Sequence, residues 1–293
     1  MGLQIYGKAS EFHLACEQLR HGGNTLSVVP TMGALHTGHA TLMRSASSLT
    51  SHVAATIFVN PTQFGPNEDF TRYPRTFEKD CELCEAAGVS LLFAPSTREM
   101  YPDGECTRVT VSRLTEGLCG ASRPGHFEGV TTVVTKLLIL AGTCTAIFGK
   151  KDYQQLKVIE RLVKDLLLPV RIAPHPIVRE PDGLALSSRN AYLSSVERER
   201  AVGIVRGLSQ ACQAFQGGVR GANQISEIVR HQLDAHGLDP QYVSVVDADT
   251  LEPFAGGAVP LRALLAVAAM CGRTRLIDNV VLGEDPDPLH GST

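Results

Sequence analysis

No stretch of this chain is apolar for long enough to cross a bilayer. The two longest apolar runs, residues 130–141 and 258–271, are interrupted by Lys136 and Arg262 and are expected to be core elements. The opening residues, Met1-Gly2-Leu3-Gln4-Ile5-Tyr6, lack the basic-then-apolar order of a secretory signal, and Tyr6 stands where a myristoylation site has Ser or Thr. A cytoplasmic protein with no membrane partner is expected. An excess of one charge is missing too: 27 Lys and Arg against 30 Asp and Glu give a net charge of -3, scattered along the chain. Nucleic acid is therefore not an expected partner, and basic residues have to be judged locally.

A second metal-type cysteine pair is also lacking. Cys81 and Cys84 have C-x-x-C spacing, but structural zinc takes four Cys or His ligands and no matching pair follows. The eight cysteines lie in a chain far longer than disulfide-stapled mini-domains, several of them within expected helices or strands, so reduced thiols are expected. There is no internal repeat and no long polar tract. With 293 residues and 43% hydrophobic content the chain can bury a substantial core, and its length suggests two domains.

From Thr25 onward short apolar runs alternate with helical patterns: strands at 26–29, 54–59 and 89–94, and helices from about Gly38 and over 76–87. Val130, Val133, Val134, Leu137 and Leu138 mark one helical face, and a buried strand follows at 145–148. A further helix over 152–168 carries a stripe of Tyr153, Leu156, Ile159, Leu162, Val163 and Leu166, stopped by Pro169 before a strand at 170–173. Such alternation implies βαβ units and a parallel sheet, and hence an α/β domain. Beyond Pro174-His175-Pro176 the alternation is lost: helices at 196–215 and 225–236 precede strands at 242–246, 261–269 and 274–282. A boundary near Pro176 gives an α/β domain over 1–176 and a smaller α+β domain over 177–293, with a disordered polar tail from about Gly283.

The strongest local signal is Pro30-Thr31-Met32-Gly33-Ala34-Leu35-His36-Thr37-Gly38-His39, which follows a strand and opens a helix. Open α/β sheets bind ligands beyond the carboxyl ends of their strands, where a helix N-terminus offers unpaired N–H groups and a positive dipole end to phosphate. His36 and His39, three residues apart around Gly38, can both donate to an anion's oxygens. The plainer alternative is that one ring caps the helix and the other is a surface side chain. A second strand-to-helix junction, Phe148-Gly149-Lys150-Lys151-Asp152-Tyr153-Gln154-Gln155-Leu156, offers close backbone approach and lysines for phosphate; ordinary solvated charges with Asp152 as N-cap remain the alternative. A third cluster, Asp182-Gly183-Leu184-Ala185-Leu186-Ser187-Ser188-Arg189-Asn190, reads as a phosphate clamp or as a capping Ser pair beside a salt-bridged Arg189. Phe58-Val59-Asn60-Pro61-Thr62-Gln63-Phe64-Gly65 is a strand-end loop whose Asn60 and Gln63 suit hydroxyl and carboxylate recognition or simple loop bonding, and Arg123 and His126 lie in a turn opening a helix or form a surface pair.

These segments, together with Tyr73-Pro74-Arg75 and Arg123-Pro124-Gly125-His126-Phe127-Glu128-Gly129-Val130, resemble the pantothenate synthetases from about Leu26 to Leu193. The resemblance implies a nucleotidyltransferase-like Rossmann domain, a C-terminal domain closing over the active-site cleft, a homodimer, and Mg2+- and ATP-dependent joining of pantoate to β-alanine through pantoyl adenylate. Carried over by motif, Met32, Gly33, Ala34, Leu35, His36, Thr37, Gly38 and His39 line the ATP site, with His39 as proton donor. Gly149, Lys150, Lys151 and Asp152 contact the nucleotide, and Val178, Leu186, Ser187, Ser188 and Arg189 complete its site. Gln63 and Gln155 hold pantoate, Gln63 also meets β-alanine, and Asn60 and Tyr73 lie near the same pocket. His39, His36, Lys151 and Arg189 are the expected catalytic groups, and no side chain is assigned to the metal. Lys150 departs from the Glu frequent in the family, and residues 141–144 lack its usual proline turn. A transferase moving a nucleotide onto another acceptor, or a regulator that only binds nucleotide, are the rival functions. The intact histidine pair and lysine oppose the latter.

Overall fold

The computed structural model describes residues 2–66, 68–255 and 258–290, which fall into two compact units. The first takes in the described parts of 1–115, 123–150 and 155–176, the second those of 116–122, 151–154 and 177–293. In chain order the elements up to residue 175 are β1 (Gln4–Tyr6), α1 (Ala9–His21), β2 (Leu26–Thr31), α2 (Thr37–Leu49), β3 (His52–Ile57), α3 (Phe77–Ala86), β4 (Leu91–Phe93), α4 (Thr97–Met100), α5 (Leu118–Ser122), α6 (His126–Ala141), β5 (Cys144–Gly149), α7 (Tyr153–Asp165) and β6 (Val170–His175). Of these, α5 and the first two residues of α7 belong to the second unit.

Six strands of the first unit form one sheet in the order β1-β4-β3-β2-β5-β6, and every pair is parallel. From β2 the chain winds outward through β3 and β4, then returns to place β5 on the other flank of β2. The switch of direction therefore lies between β2 and β5, where open α/β sheets form their binding crevice. Parallel central strands are covered on both faces, and β2, β3 and β5 are accordingly apolar and almost wholly buried. One face carries α2, whose Ala40, Met43 and Ala46 pack with Val29, Val53, Cys84 and Leu92. The expected stripe of α6 is buried in full, and Gly142 at φ 67 closes that helix.

Neither β1 nor α1 was expected from the sequence. Phe12, Ala15 and Cys16 do carry the i, i+3, i+4 pattern of a buried helix face, and Phe12 stacks on Phe93 with ring centroids 4.8 Å apart. Full burial of such a side chain is worth about 1.5–3 kcal/mol. The stripe expected for α7 holds from Tyr153 to Val163, but the helix ends at Asp165 and Leu166 is 47% exposed. Leu167 adopts φ 54 just before the turn into Pro169, which the helix cannot continue through.

In the second unit, α8 (Ser195–Gln216) and α9 (Ala222–Ala235) precede an antiparallel sheet of β7 (Asp239–Val246), β8 (Ala263–Cys271) and β9 (Thr274–Leu282), in the order β7-β8-β9. Ser194 starts α8 with a capping box to Glu197. Ile204, Leu208, Phe215, Ile225, Val229 and Leu233 from the helices meet Val243, Leu265, Val267 and Val280 from the sheet in a single core. The strand expected from Leu261 begins instead at Ala263, leaving Leu261 76% exposed. The tail expected to be disordered is bonded over 283–290: Asp287 accepts from the backbone N–H of Leu289 and from Gln213, and Asp285 accepts from Val281. Residues 291–293 lie outside the described residues.

Candidate active site

At the exit of β2 the backbone makes a tight turn before α2. Thr31 Oγ1 donates to Thr56 O across the β2–β3 pair at 2.5 Å and accepts from Gly33 N at 3.1 Å. Gly33 has φ 81, and a Cβ there would stand 3.0 Å from Asp80 Oδ2 and 3.1 Å from Ile57 Cγ2, so both conformation and space favour glycine. Ala34 follows at φ 49, a left-handed conformation that must be held by its surroundings. The holder is Asp80, a residue of α3 only 2% exposed. Its Oδ2 accepts from Ala34 N at 2.9 Å, and its Oδ1 from Leu35 N at 2.8 Å and Thr76 Oγ1 at 3.1 Å. Sequence reasoning did not single out Asp80, one of several charged residues in the helical pattern over 76–87.

The turn delivers both histidines to the first turn of α2. His36 is the N-cap and its Nδ1 accepts from Gly38 N at 3.1 Å, while His39 Nδ1 accepts from His36 N at 3.3 Å. A ring nitrogen that accepts carries no proton, so each imidazole has its N–H at Nε2. The ring centroids are 4.1 Å apart. Capping and donation to an anion are thus not alternatives here: the caps engage Nδ1 of each ring and place each ring proton at Nε2.

Beyond β3, Asn60 is only 1% exposed and its carboxamide is spent within the protein. Oδ1 accepts from Thr62 Oγ1 at 2.9 Å and Tyr101 OH at 2.8 Å; Nδ2 donates to Gln63 Oε1 at 3.0 Å and Gly129 O at 3.1 Å. Burial pushes the Tyr101 phenol above its usual range against the opposing hydrogen bonds, which keeps it a neutral donor. With Gln63 Oε1 engaged by Asn60, Gln63 Nε2 faces Met32 Sδ at 3.1 Å, so the carboxamide orientation follows from its neighbours. Tyr73 is buried and packs edge-on against Phe64 with centroids 5.9 Å apart. Met32, Gly33, Phe58, Phe77 and Asp80 border a cavity of about 350 Å³ at the carboxyl ends of β2, β3 and β4.

Gly149 ends β5 of the first unit, followed by half-buried Lys150, and Gln155 lies on α7. In the second unit the Lys151 carbonyl accepts from Asn279 Nδ2 of β9 at 2.8 Å, anchoring the backbone, and the Lys151 ammonium makes no ion pair among the described residues. Asp152 is exposed in the same short 3-10 turn. Val178 and Leu186 close a small hairpin, with Leu186 N donating to Val178 O at 2.9 Å; Arg179 fixes it through paired bonds to buried Asp278 at 2.6 and 3.0 Å. Ser187 then caps the turn that carries Ser188 and Arg189, accepting from Arg189 N at 3.2 Å. Among the described residues no group of three or more His, Cys, Asp or Glu could hold a metal ion.

The family described as pantoate-beta-alanine ligase matches residues 4–281, from β1 through most of β9. The pantothenate synthetase of Myxococcus xanthus is 53% identical over 266 residues, covering 90% of this chain and 91% of that protein. That of Geobacter sulfurreducens is 48% identical over 284 residues, covering 97% and 100%. Among solved structures, a pantothenate synthetase from Thermus thermophilus matches with a TM-score of 0.88 at 43% identity, covering 95% of this chain and 99% of that one. A pantoate-beta-alanine ligase from Francisella tularensis, complexed with beta-gamma ATP and beta-alanine, matches with a TM-score of 0.78 at 33% identity, covering 97% and 99%. Agreement in both sequence and fold along nearly the whole chain means that it belongs to the pantoate–β-alanine ligase family.

Proposed function

We propose that the chain joins pantoate to β-alanine at the expense of ATP, by way of pantoyl adenylate, releasing pyrophosphate and AMP. The observation that carries this reading is the helix-capped histidine pair, two Nε2–H donors on a helix N-terminus at the carboxyl end of a central parallel strand. The carboxamide of Gln63 stands at the next strand exit and is oriented toward Met32. Membership of the family, and the relative complexed with beta-gamma ATP and beta-alanine, support the choice of substrates.

A carboxylate resists amine attack because its charge is delocalised and its oxygen leaves poorly. In the first step a pantoate carboxylate oxygen bonds to the α-phosphorus of ATP and the bond to the β-phosphate oxygen breaks. Negative charge spreads over the phosphoryl oxygens, where the N–H groups of His36 and His39, the ammonium of Lys151 and the guanidinium of Arg189 act in this reading, with His39 donating a hydrogen bond from Nε2. In the second step the β-alanine amine bonds to the acyl carbon, loses a proton, and AMP leaves with the carboxylate oxygen. No covalent enzyme intermediate is needed. The remaining residues of 32–39, together with Gly149, Lys150, Asp152, Val178, Leu186, Ser187 and Ser188, take nucleotide contacts, and Gln63 and Gln155 take pantoate. Asn60, being saturated by protein partners, acts by orienting Gln63.

Magnesium belongs to the same reading, as an ion held largely by water and ATP phosphates, whose charge it would neutralise. A cytoplasmic homodimer completes the proposal, and the eight unpaired cysteines support a reducing compartment. Pantoate labelled with 18O in its carboxylate provides the test: the label should appear in AMP. AMP without label would overturn the acyl-adenylate route.

A further inference from the structure

We propose that Arg123 and His126 are positioning residues for the acceptor, which fix the backbone carbonyl of Gln63 and through it the carboxamide assigned above to pantoate; this rests on that assignment. Arg123 precedes α6 by a turn in which Gly125 has φ 80. Its guanidinium forms a fork on Glu68, with Nε to Oε1 and NH2 to Oε2 both at 2.6 Å, and the Arg123 side chain is 13% exposed. NH2 also donates to Gln63 O at 3.3 Å, and NH1 meets His126 Nε2 at 2.9 Å. A guanidinium has donors only, so His126 Nε2 accepts and the ring proton sits on Nδ1. That Nδ1–H donates to Gln63 O at 2.9 Å.

The same carbonyl is therefore held by two donors, and Arg123 sets the tautomer that lets His126 be one of them. Elsewhere the turn rests directly on α6. A Cβ at Gly129 would stand 2.4 Å from Thr62 O and 2.7 Å from Gln63 Cα, so the two backbones are in contact, and Gly129 O receives Asn60 Nδ2. The turn Pro61–Gln63 is thus pinned at the Asn60 side chain, the Gly129 contact and the Gln63 carbonyl. The last of these rests on Arg123 and His126, which is why the pair can be altered without touching the residue assigned to substrate.

The test compares His126→Phe, which keeps ring volume without donor or acceptor, with His126→Asn, whose amide N–H can replace Nδ1–H. Arg123→Lys, which keeps the charge and loses the fork, carries the test if His126→Phe does not fold. His126→Phe and Arg123→Lys should raise the KM for pantoate about tenfold with the KM for ATP nearly unchanged, and His126→Asn should stay within about threefold of the wild type. Pantoate KM values within about twofold in both damaging variants, or an equal rise in the KM for ATP, would overturn the proposal. Hydrogen exchange of peptides covering 61–66 supplies a readout independent of turnover. Exchange should quicken in His126→Phe or Arg123→Lys and not in His126→Asn, and no difference would overturn the latch. If the wild type itself fails to consume pantoate, the functional assignment falls while exchange still decides the latch.

Discussion

Replacing Asp80 by Asn changes one buried atom at the foundation of the turn between β2 and α2. The carboxylate accepts from two successive backbone N–H groups, those of Ala34 and Leu35 at 2.9 and 2.8 Å, and from the Thr76 hydroxyl. Asn keeps the shape but offers one acceptor oxygen, so one of the two amides faces an NH2 group. An unsatisfied buried donor costs about 1–3 kcal/mol, and loss of a charge-assisted bond falls in about the same range. A net loss of about 2 kcal/mol in folding free energy follows, large against the few kcal/mol that separate folded from unfolded chains. The activity effect is separate: Ala34 is held at φ 49 by these bonds, and its relaxation shifts His36 and His39. Misplacement of reacting groups by about 1 Å can cost on the order of 10²-fold, so single-turnover adenylation should fall by roughly 10- to 100-fold. Urea unfolding followed by circular dichroism reads the first effect and rapid-quench pyrophosphate release the second. Thr76→Val, which removes only the third bond, should leave adenylation within about threefold of the wild type. Asp80→Asn protein with an unchanged urea midpoint and adenylation within about twofold would refute the reasoning.

His39→Ala and Lys151→Ala should each lower adenylation by roughly 10² or more while the circular dichroism spectrum is preserved, as for loss of transition-state donors; near-normal single turnover would remove them from the chemistry. Burial opposes ionisation of Glu68, yet the hydrogen bonds and charge of Arg123 outweigh it and hold its carboxyl below the ordinary value of 4.5. A depressed folded value stabilises fully above the unfolded value and is lost as pH falls through the folded one. The stability advantage of wild type over Glu68→Gln should therefore shrink as the solution is acidified below the ordinary carboxylate range, and an advantage that stays constant would contradict the pairing. Burial pushes the thiols of Cys16, Cys84, Cys144 and Cys212 up to about 12, whereas Cys106 is exposed. Iodoacetamide at about pH 8 should label Cys106 in the native protein and reach those four only on unfolding, as peptide mass mapping would reveal; early labelling of Cys84 would contradict its packing.

The turn after β2 was legible in the sequence because its signals are local, an apolar strand and two histidines at a helix start; the glycine that makes the turn was not, since the sequence pointed to Gly38, which lies within α2, and the positive φ belongs to Gly33. The alternation that implied a parallel sheet was likewise a matter of spacing between apolar runs. Asp80 was not legible, because its role depends on α3 bringing a carboxylate against a turn 45 residues earlier in the chain for Leu35 and 46 for Ala34. Asn60 looked like a substrate ligand by type, and only its burial and four protein partners reveal that it orients Gln63. The three-residue β1 escaped notice since so short a strand owes its existence to pairing with β4 rather than to its own pattern. The end of α7 was misjudged because Leu166 continues the apolar period after the backbone has turned.

Pyrophosphate release from Mg-ATP and pantoate, measured with and without β-alanine and followed by mass analysis of products, bears most directly on the central claim. Pantoate alone should give a burst near one pyrophosphate per active site, and β-alanine should convert it to steady release with AMP and pantothenate in equal amounts. Folded, ATP-binding protein that releases no pantoate-dependent pyrophosphate, or forms AMP without pantothenate when β-alanine is present, would contradict it.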